Sequence, residues 1–209
     1  MTRGGAVLNR DESPSSEKFA VSRRGLLAGA GCVAAMVALG GVGTAFAGED
    51  TLVRLPGGQD DDRFLATCLK CDKCRSVCPQ QCVSIAALED GLVNMRTPYM
   101  DFHKGFCDFC NRCIEVCPTQ ALLPFDPETE KLGIAVIDEE ECIAWKQGGC
   151  VKCVEACPYE AIELNQNDRP VVHEELCNGC GACEYACPSA TFMSYSGSRR
   201  RGVNVEREA

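Results

Sequence analysis

Three stretches of this chain obey one spacing rule, CxxCxxCxxxCP: CLKCDKCRSVCP from Cys68, CDFCNRCIEVCP from Cys107 and CNGCGACEYACP from Cys177. A fourth, CIAWKQGGCVKCVEACP from Cys142, keeps the rule from Cys150 onward but places seven residues, not two, ahead of it. Sixteen of the chain's eighteen cysteines stand in these units: Cys68, Cys71, Cys74, Cys78, Cys107, Cys110, Cys113, Cys117, Cys142, Cys150, Cys153, Cys157, Cys177, Cys180, Cys183 and Cys187. Such a density means either disulfides or metal. Register decides for metal, because a disulfide framework has no reason to repeat a tight spacing, whereas thiolates two residues apart converge on one small polynuclear centre.

Iron and sulfide account for the gaps. Two-residue spacings let a tight loop wrap three thiolates around one face of a cubane, with backbone N–H groups turned toward the sulfurs. The fourth cysteine, three residues on, faces away from that cluster. Pro79, Pro118, Pro158 and Pro188 follow the fourth cysteines. Lacking an N–H, each is suited to the first turn of a short helix, which it is expected to open. Structural zinc typically uses two separated ligand pairs, a poor match to four CP-terminated quartets in a chain with two histidines. His103 and His173 are not spaced as ligands and are expected on the surface or in a strand. The expectation is four [4Fe-4S] clusters with the sixteen cysteines as iron ligands.

The unit from Cys142 could be a dead copy, a site for another metal, or a working cluster whose first ligand is looped out. Gly148 and Gly149 supply the backbone freedom to bring Cys142 back, and a working site is expected. Cys82, counted from its CP pair, occupies the place of Ala121 and Ala161 and reads as a buried thiol that binds no iron. Phe106, Phe109 and Trp145 flank cysteines and are expected to keep water from the clusters.

Between units the chain reads as strands. Residues 161–164 and 170–173 flank the turn Asn165-Gln166-Asn167-Asp168, and residues 121–125 and 133–137 flank Asp126-Pro127-Glu128, so two hairpins are expected. Large apolar residues are few in each unit, so the clusters themselves must complete the core.

The front of the chain is an address. Residues 1–24 are polar and end in Ser22-Arg23-Arg24; residues 25–48 then carry no charge but are rich in glycine and alanine. That is weakly apolar for a bilayer span and suits a signal segment, with Ala45-Phe46-Ala47 at a cleavage site. SRRGLL resembles a twin-arginine export signal, which carries folded proteins across the membrane after cofactor insertion. Retention of residues 1–47 as an anchor is the alternative. Cys32, inside this segment, reads as a small apolar residue. The expected layout is 1–47 signal, 48–62 linker, 63–194 four-cluster region (units 63–92, 102–125, 137–164 and 172–194) and 195–209 a polar, solvated tail.

The formal charge is -9, and about -11 for residues 48–209 alone. Nucleic acid is therefore a poor partner, and a protein docking surface a better one. No phosphate loop, nucleotide fingerprint or open metal site is visible, so the chain reads as an electron-transfer subunit, not an enzyme with its own substrate site.

The quartets resemble those of bacterial two-cluster ferredoxins, which implies an α+β fold of tandem or nested ferredoxin-like domains with short hairpins and short helices. In those ferredoxins the fourth cysteine of each unit ligates the partner cluster. SRRGLL, the four units and CIAWKQGGCVKCVEACP together resemble the NapG/MauM-type exported ferredoxins, over about residues 22–194. Unit two departs from that pattern, since NapG-type proteins can carry a longer first gap there. The resemblance implies a periplasmic relay, or one on the outer face of the cytoplasmic membrane, between a polytopic quinol-oxidising membrane protein and a second redox partner. It also implies pairing of the first unit with the fourth and the second with the third; sequential pairing stays open on spacing alone. An iron-sulfur subunit of a molybdopterin oxidoreductase complex, or a maturation factor for an exported enzyme, are the other readings.

Overall fold

The computed structural model describes residues 52–189 and 200–207; the expected signal segment, with Cys32, lies outside them. In chain order the elements are α1 (Asp61–Thr67), α2 (Lys73–Val77), β1 (Val83–Ile85), a 3-10 turn (Leu88–Asp90), β2 (Pro98–Met100), α3 (Arg112–Glu115), β3 (Ile134–Ile137), α4 (Ile143–Lys146), α5 (Lys152–Ala156), β4 (Ile162–Leu164), β5 (Pro170–Val172), α6 (Ala182–Ala186) and β6 (Val203–Glu206). The mixture of short helices and small antiparallel sheets is that expected of the sequence. Among the described residues no helix is long and apolar enough to cross a membrane.

Helices α2, α3, α5 and α6 each contain the third cysteine of a unit, and three of them are capped by the fourth, Cys78, Cys157 or Cys187. The prolines that follow behave otherwise than expected in the first three units. Gln81, Gln120 and Glu160 take φ values of +54°, +55° and +54°, and Gln81 N donates to Cys78 O at 3.3 Å. Each CP pair therefore opens a tight turn, not a helix. The fixed φ of proline suits the second position of a turn as well as a helix start. In units one and three only a few residues separate the fourth cysteine from the next strand, too few for a helix.

β4 pairs antiparallel with β5 in the register Ile162 to Val172, as the Asn165–Asp168 turn predicts, and β1 pairs antiparallel with β2 in a hairpin not among the two expected. The other expected hairpin does not form. β3 pairs instead with β6, Ile134 opposite Glu206 and Ile137 opposite Val203, while residues 121–125 hold no strand. The Val203-Asn204-Val205-Glu206 alternation turns both valines inward, 1 % and 8 % exposed, and such burial contributes roughly 1.5–3 kcal/mol for each. Within the expected solvated tail, residues 203–206 are thus a structural strand.

The expected linker is also part of the core. Val53, Leu55 and Phe64 are buried with Met100, Phe102 and Leu122, and Met100 N donates to Val53 O at 2.8 Å. Arg54, 1 % exposed, donates through Nε to Asp61 at 2.5 Å, through one terminal nitrogen to Thr97 Oγ1 at 3.0 Å and through the other to Asn94 Oδ1 at 2.5 Å. Its guanidinium also lies over the Phe64 ring. A cation there is tolerated because its charge and donors are matched. Arg207 closes the circuit by donating to Asp61 and to Gln59 O.

Candidate iron-sulfur sites

The cysteine loops repeat a backbone pattern. The residue before the second cysteine has positive φ in every unit: Lys70, Phe109, Gly149 and Gly179. The residue after it does so in three: Asp72, Asn111 and Gly181. Alternation between left- and right-handed residues turns successive N–H groups to one concave side, a nest suited to anionic sulfur. Lys70 N lies 3.4 Å from Cys68 Sγ, Ala135 N 3.4 Å from Cys177 Sγ and Ala161 N 3.3 Å from Cys157 Sγ.

Four cavities result, each lined by a quartet of cysteines with one drawn from a neighbouring unit. Cys68, Cys71, Cys74 and Cys117 line the first, with Phe64, Leu69 and Leu122 (site 1). Cys107, Cys110, Cys113 and Cys78 line the second, with Leu55, Val83 and Met100 and with Cys82 as an additional, fifth cysteine (site 2). Cys142, Cys150, Cys153 and Cys187 line the third, with Ile143, Gly202 and Val203 (site 3). Cys177, Cys180, Cys183 and Cys157 line the fourth, with Tyr159, Ile162 and Val205 (site 4). Their empty volumes are similar, about 380, 350, 300 and 300 Å³, counting space open to solvent. All sixteen predicted cysteines are accounted for, four to a cavity.

The pairing implied by the resemblance, first with fourth and second with third, is not what these cavities gather. Units one and two share sites 1 and 2, and units three and four share sites 3 and 4. The connections explain it. The β1–β2 hairpin returns the chain from unit one to unit two, and β4–β5 from unit three to unit four, so α2 packs on α3 and α5 on α6. The link from unit two to unit three makes no hairpin, because β3 is taken by β6.

The donor set fits [4Fe-4S] groups. Among the described residues no three His, Cys, Asp or Glu side chains gather closely enough to hold a single metal ion. A cubane asks instead for one thiolate at each iron corner, in an apolar wall with N–H groups on the sulfurs, and each cavity offers this. Burial pushes the Cys74, Cys107 and Cys153 thiols up to about 12, and Cys113 and Cys180 to about 11, with adjacent cysteines adding to each rise. Such thiols lose their protons together only against a positive core. Cys117 is the exception. Burial opposes its ionisation, but the N–H groups of Leu122, Thr119 and Ala121 and the Thr119 hydroxyl outweigh it and hold the thiol below its usual range.

The insert after Cys142 folds as the helical turn α4 with Cys142 as its N-cap, and burial pushes the Cys142 thiol up against the opposing pull of the Trp145 and Ala144 N–H groups nearby. Gly149 then takes the left-handed conformation that Lys70, Phe109 and Gly179 take in the other loops, with φ +76°, and Cys150 re-enters register. Val151 at φ -126° is the one departure, since a β-branched side chain resists φ above zero. Trp145 lies 4.5 Å from the Arg169 guanidinium, covering the loop.

Exposure separates the halves. Cys71 at site 1 and Cys110 at site 2 are exposed, whereas Cys142 and Cys153 at site 3, and Cys177, Cys180 and Cys183 at site 4, are buried. The halves meet between sites 2 and 4: Cys107 N donates to Cys180 O at 2.8 Å, and the Phe109 ring meets Tyr159 edge-on at 6.5 Å. Phe106 lies 6.1 Å from Tyr185, and Phe102 packs where a Cβ on Gly181 would fall. The site walls are thus in contact in the series 1, 2, 4, 3. His103 Nε2 stands 3.3 Å from Glu184 Oε1, and His173 Nε2 3.0 Å from Glu163 Oε1, neither at a site. Cys82 is buried, as expected, but its Sγ is 3.6 Å from Cys78 Sγ.

Residues that motif spacing passes over include Gly202 and Val203, which close site 3, and Glu184, whose Oε2 accepts from Val205 N at 2.7 Å to hold the closing strand. The Val203-Val205 alternation is a sequence signal for that strand, though four residues long, and nothing in the spacing marks Glu184.

Comparison with known proteins agrees with this reading of the loops. Residues 67–121, 106–161 and 135–194 match models described as 4Fe-4S dicluster domains. The chain is 32 % identical over 200 residues to ferredoxin-type protein NapG of Escherichia coli, covering 86 % of this chain and 85 % of that one. It is 32 % identical over 188 residues to the methylamine utilization ferredoxin-type protein MauM of Paracoccus denitrificans, covering 80 % and 83 %. Ferredoxin-type protein NapF of Escherichia coli is 29 % identical over 146 residues, covering 68 % and 84 %. With its cysteine quartets and these relatives along most of its length, the chain belongs to the NapG/MauM family of ferredoxin-type iron-sulfur proteins.

Proposed function

We propose that the four cavities hold four [4Fe-4S] clusters, and that the protein is an exported electron-transfer subunit without a substrate site of its own. It passes electrons between a quinol-oxidising membrane partner and a reductase outside the cytoplasm. When bound, each cluster supplies a place to take up and release one electron. The observation that carries the proposal is the series of contacting site walls. Sites 1 and 3 are its two ends, joined through the Cys107–Cys180 backbone bond and the Phe109–Tyr159 contact at its middle. The apolar walls exclude water, the N–H groups steady the sulfurs, and exposed Cys71, beside Leu69 at 66 % exposure, puts one end within reach of a partner. The twin-arginine-like SRRGLL supports export with the clusters already in place.

Mixing the anaerobically purified, oxidised protein with quinol-reduced membranes that contain the partner tests this. Bleaching of the iron-sulfur absorbance on the millisecond-to-second scale is expected; absence of bleaching refutes the relay, although dithionite would still reduce the clusters.

A further inference from the structure

Site 2 is lined by five cysteines, not four. Cys82 is 1 % exposed, lines the same cavity as Cys78, Cys107, Cys110 and Cys113, and holds its sulfur 3.6 Å from that of Cys78. The corresponding residues of two other units are Ala121 and Ala161, buried at 2 % and 1 %. At Ala161 the backbone N–H lies 3.3 Å from Cys157 Sγ, so this position abuts the cysteine that crosses to the neighbouring unit's site. A thiol there adds a second sulfur beside the crossing one. Packing holds it in place: a Cβ on Gly105 would lie 3.4 Å from Cys82 Cβ and 2.0 Å from Gln80 O. Site 2 also has an exposed cysteine, Cys110, and so an opening to solvent.

We propose that Cys82 is a reserve ligand for site 2. It binds no iron while Cys78 does, and takes over the Cys78 iron corner when Cys78 is lost or displaced. In the exchange the bond from iron to Cys78 sulfur breaks and one from iron to Cys82 sulfur forms. When Cys78 is displaced, the Cys82 S–H proton passes to the departing Cys78 thiolate across the sulfur-sulfur contact; when Cys78 is absent, there is no iron–Cys78 bond to break and the proton passes to solvent through the opening at Cys110 as the cluster is inserted. No electron changes hands, so no oxidant or reductant is required. The proposal rests on the reading of site 2 as a cluster site.

The experiment uses the full chain purified without oxygen, measuring iron and acid-labile sulfide per chain and the EPR spectrum after dithionite reduction. Cys78→Ala is expected to keep the wild-type iron content with one altered EPR signal, whereas Cys78→Ala with Cys82→Ala loses about a quarter of the iron. Cys82→Ala alone keeps all of it. The same iron loss in Cys78→Ala as in the double variant overturns the proposal, and Cys78→Ser, which preserves side-chain volume, guards against a folding artefact. The reserve is also expected to be transferable. Cys157→Ala, backed only by Ala161, loses about a quarter of the iron, and adding Ala161→Cys restores it; failure to restore it counts against the geometry. If the wild-type protein lacks a cluster at site 2, the functional reading falls first, and iron analysis of the unmutated chain reveals that separately.

Discussion

Gly181→Ala tests whether the second half is as tightly built around its loops as the structure implies. Gly181 follows Cys180 with φ +81°, and a Cβ there would lie 1.9, 2.3 and 2.4 Å from three atoms of the Phe102 ring. Carbon atoms at contact stand about 3.5–4.0 Å apart, and Phe102, 3 % exposed, has no free space to enter. The left-handed backbone costs an alanine about 1–2 kcal/mol, and overpacking adds about 1–3 kcal/mol, for roughly 2–5 kcal/mol together. Gly149→Ala is the matched control. Its φ is +76°, but no heavy atom lies within 4 Å of the added carbon, so only the backbone cost of about 1–2 kcal/mol remains. Because cluster loss is irreversible, the assay is the rate of anaerobic bleaching on mild heating. If the strain is relieved as the loop opens, each 1.4 kcal/mol gives about a tenfold faster rate. Gly149→Ala should bleach up to about thirtyfold faster than wild type, and Gly181→Ala about a further fivefold or more beyond that. Equal rates for the two variants, or a Gly181→Ala protein as durable as wild type, would refute the reasoning.

Three further perturbations follow from named contacts. Val203→Asp places a carboxylate in the wall of site 3, where burying an unpaired charge is strongly unfavourable, and should lower iron content by about a quarter in metal analysis while sites 1 and 2 keep their EPR signals. Thr119→Val removes a hydroxyl held toward Cys117 Sγ; losing about 0.5–1 kcal/mol of stabilisation of the more negative, reduced state should lower one reduction potential by about 20–40 mV in a redox titration. Asp101→Asn tests a pH effect. Burial opposes the Asp101 carboxylate, but Lys104 at 2.9 Å and Ser84 at 2.8 Å outweigh it and hold its pKa below the ordinary value. Its stabilisation is therefore present at neutral pH and lost as pH falls through the depressed pKa. The bleaching difference from wild type, worth about 0.5–1 kcal/mol at pH 7, should vanish in acid.

The cysteine loops were legible because their chemistry is local. CxxCxxC calls for a tight loop with N–H groups toward the sulfurs, and Gly148-Gly149 marked the Cys142 insert as able to return its cysteine, which Gly149 does by taking the conformation that Lys70 and Phe109 adopt. Pairing was not legible, because four units of the same spacing are interchangeable as sequence. What distinguishes them is where the connections lead, and the β1–β2 and β4–β5 hairpins decide that. The role of residues 203–206 was hidden for a related reason. Their partner, Ile134–Ile137, lies far back in the chain, and a four-residue alternation of valine with polar residues is too short to stand out. Arg54 went unread for the same reason, since its partners Asp61, Asn94 and Thr97 are brought to it only by the fold. The CP prolines were read only as helix starts, but the same fixed φ also suits a turn, and the short run to the following strand chose the turn.

The central claim is that four clusters sit in the four gathered quartets, with crossing ligands exchanged only between adjacent units. An anomalous-scattering map at the iron edge, from crystals of the protein isolated without oxygen, tests it most directly. The account predicts four iron centres, with Cys117 completing the one held by Cys68, Cys71 and Cys74, and Cys187 completing the one held by Cys142, Cys150 and Cys153. Cys187 on the first of these centres, or no iron beside Cys142, would contradict it.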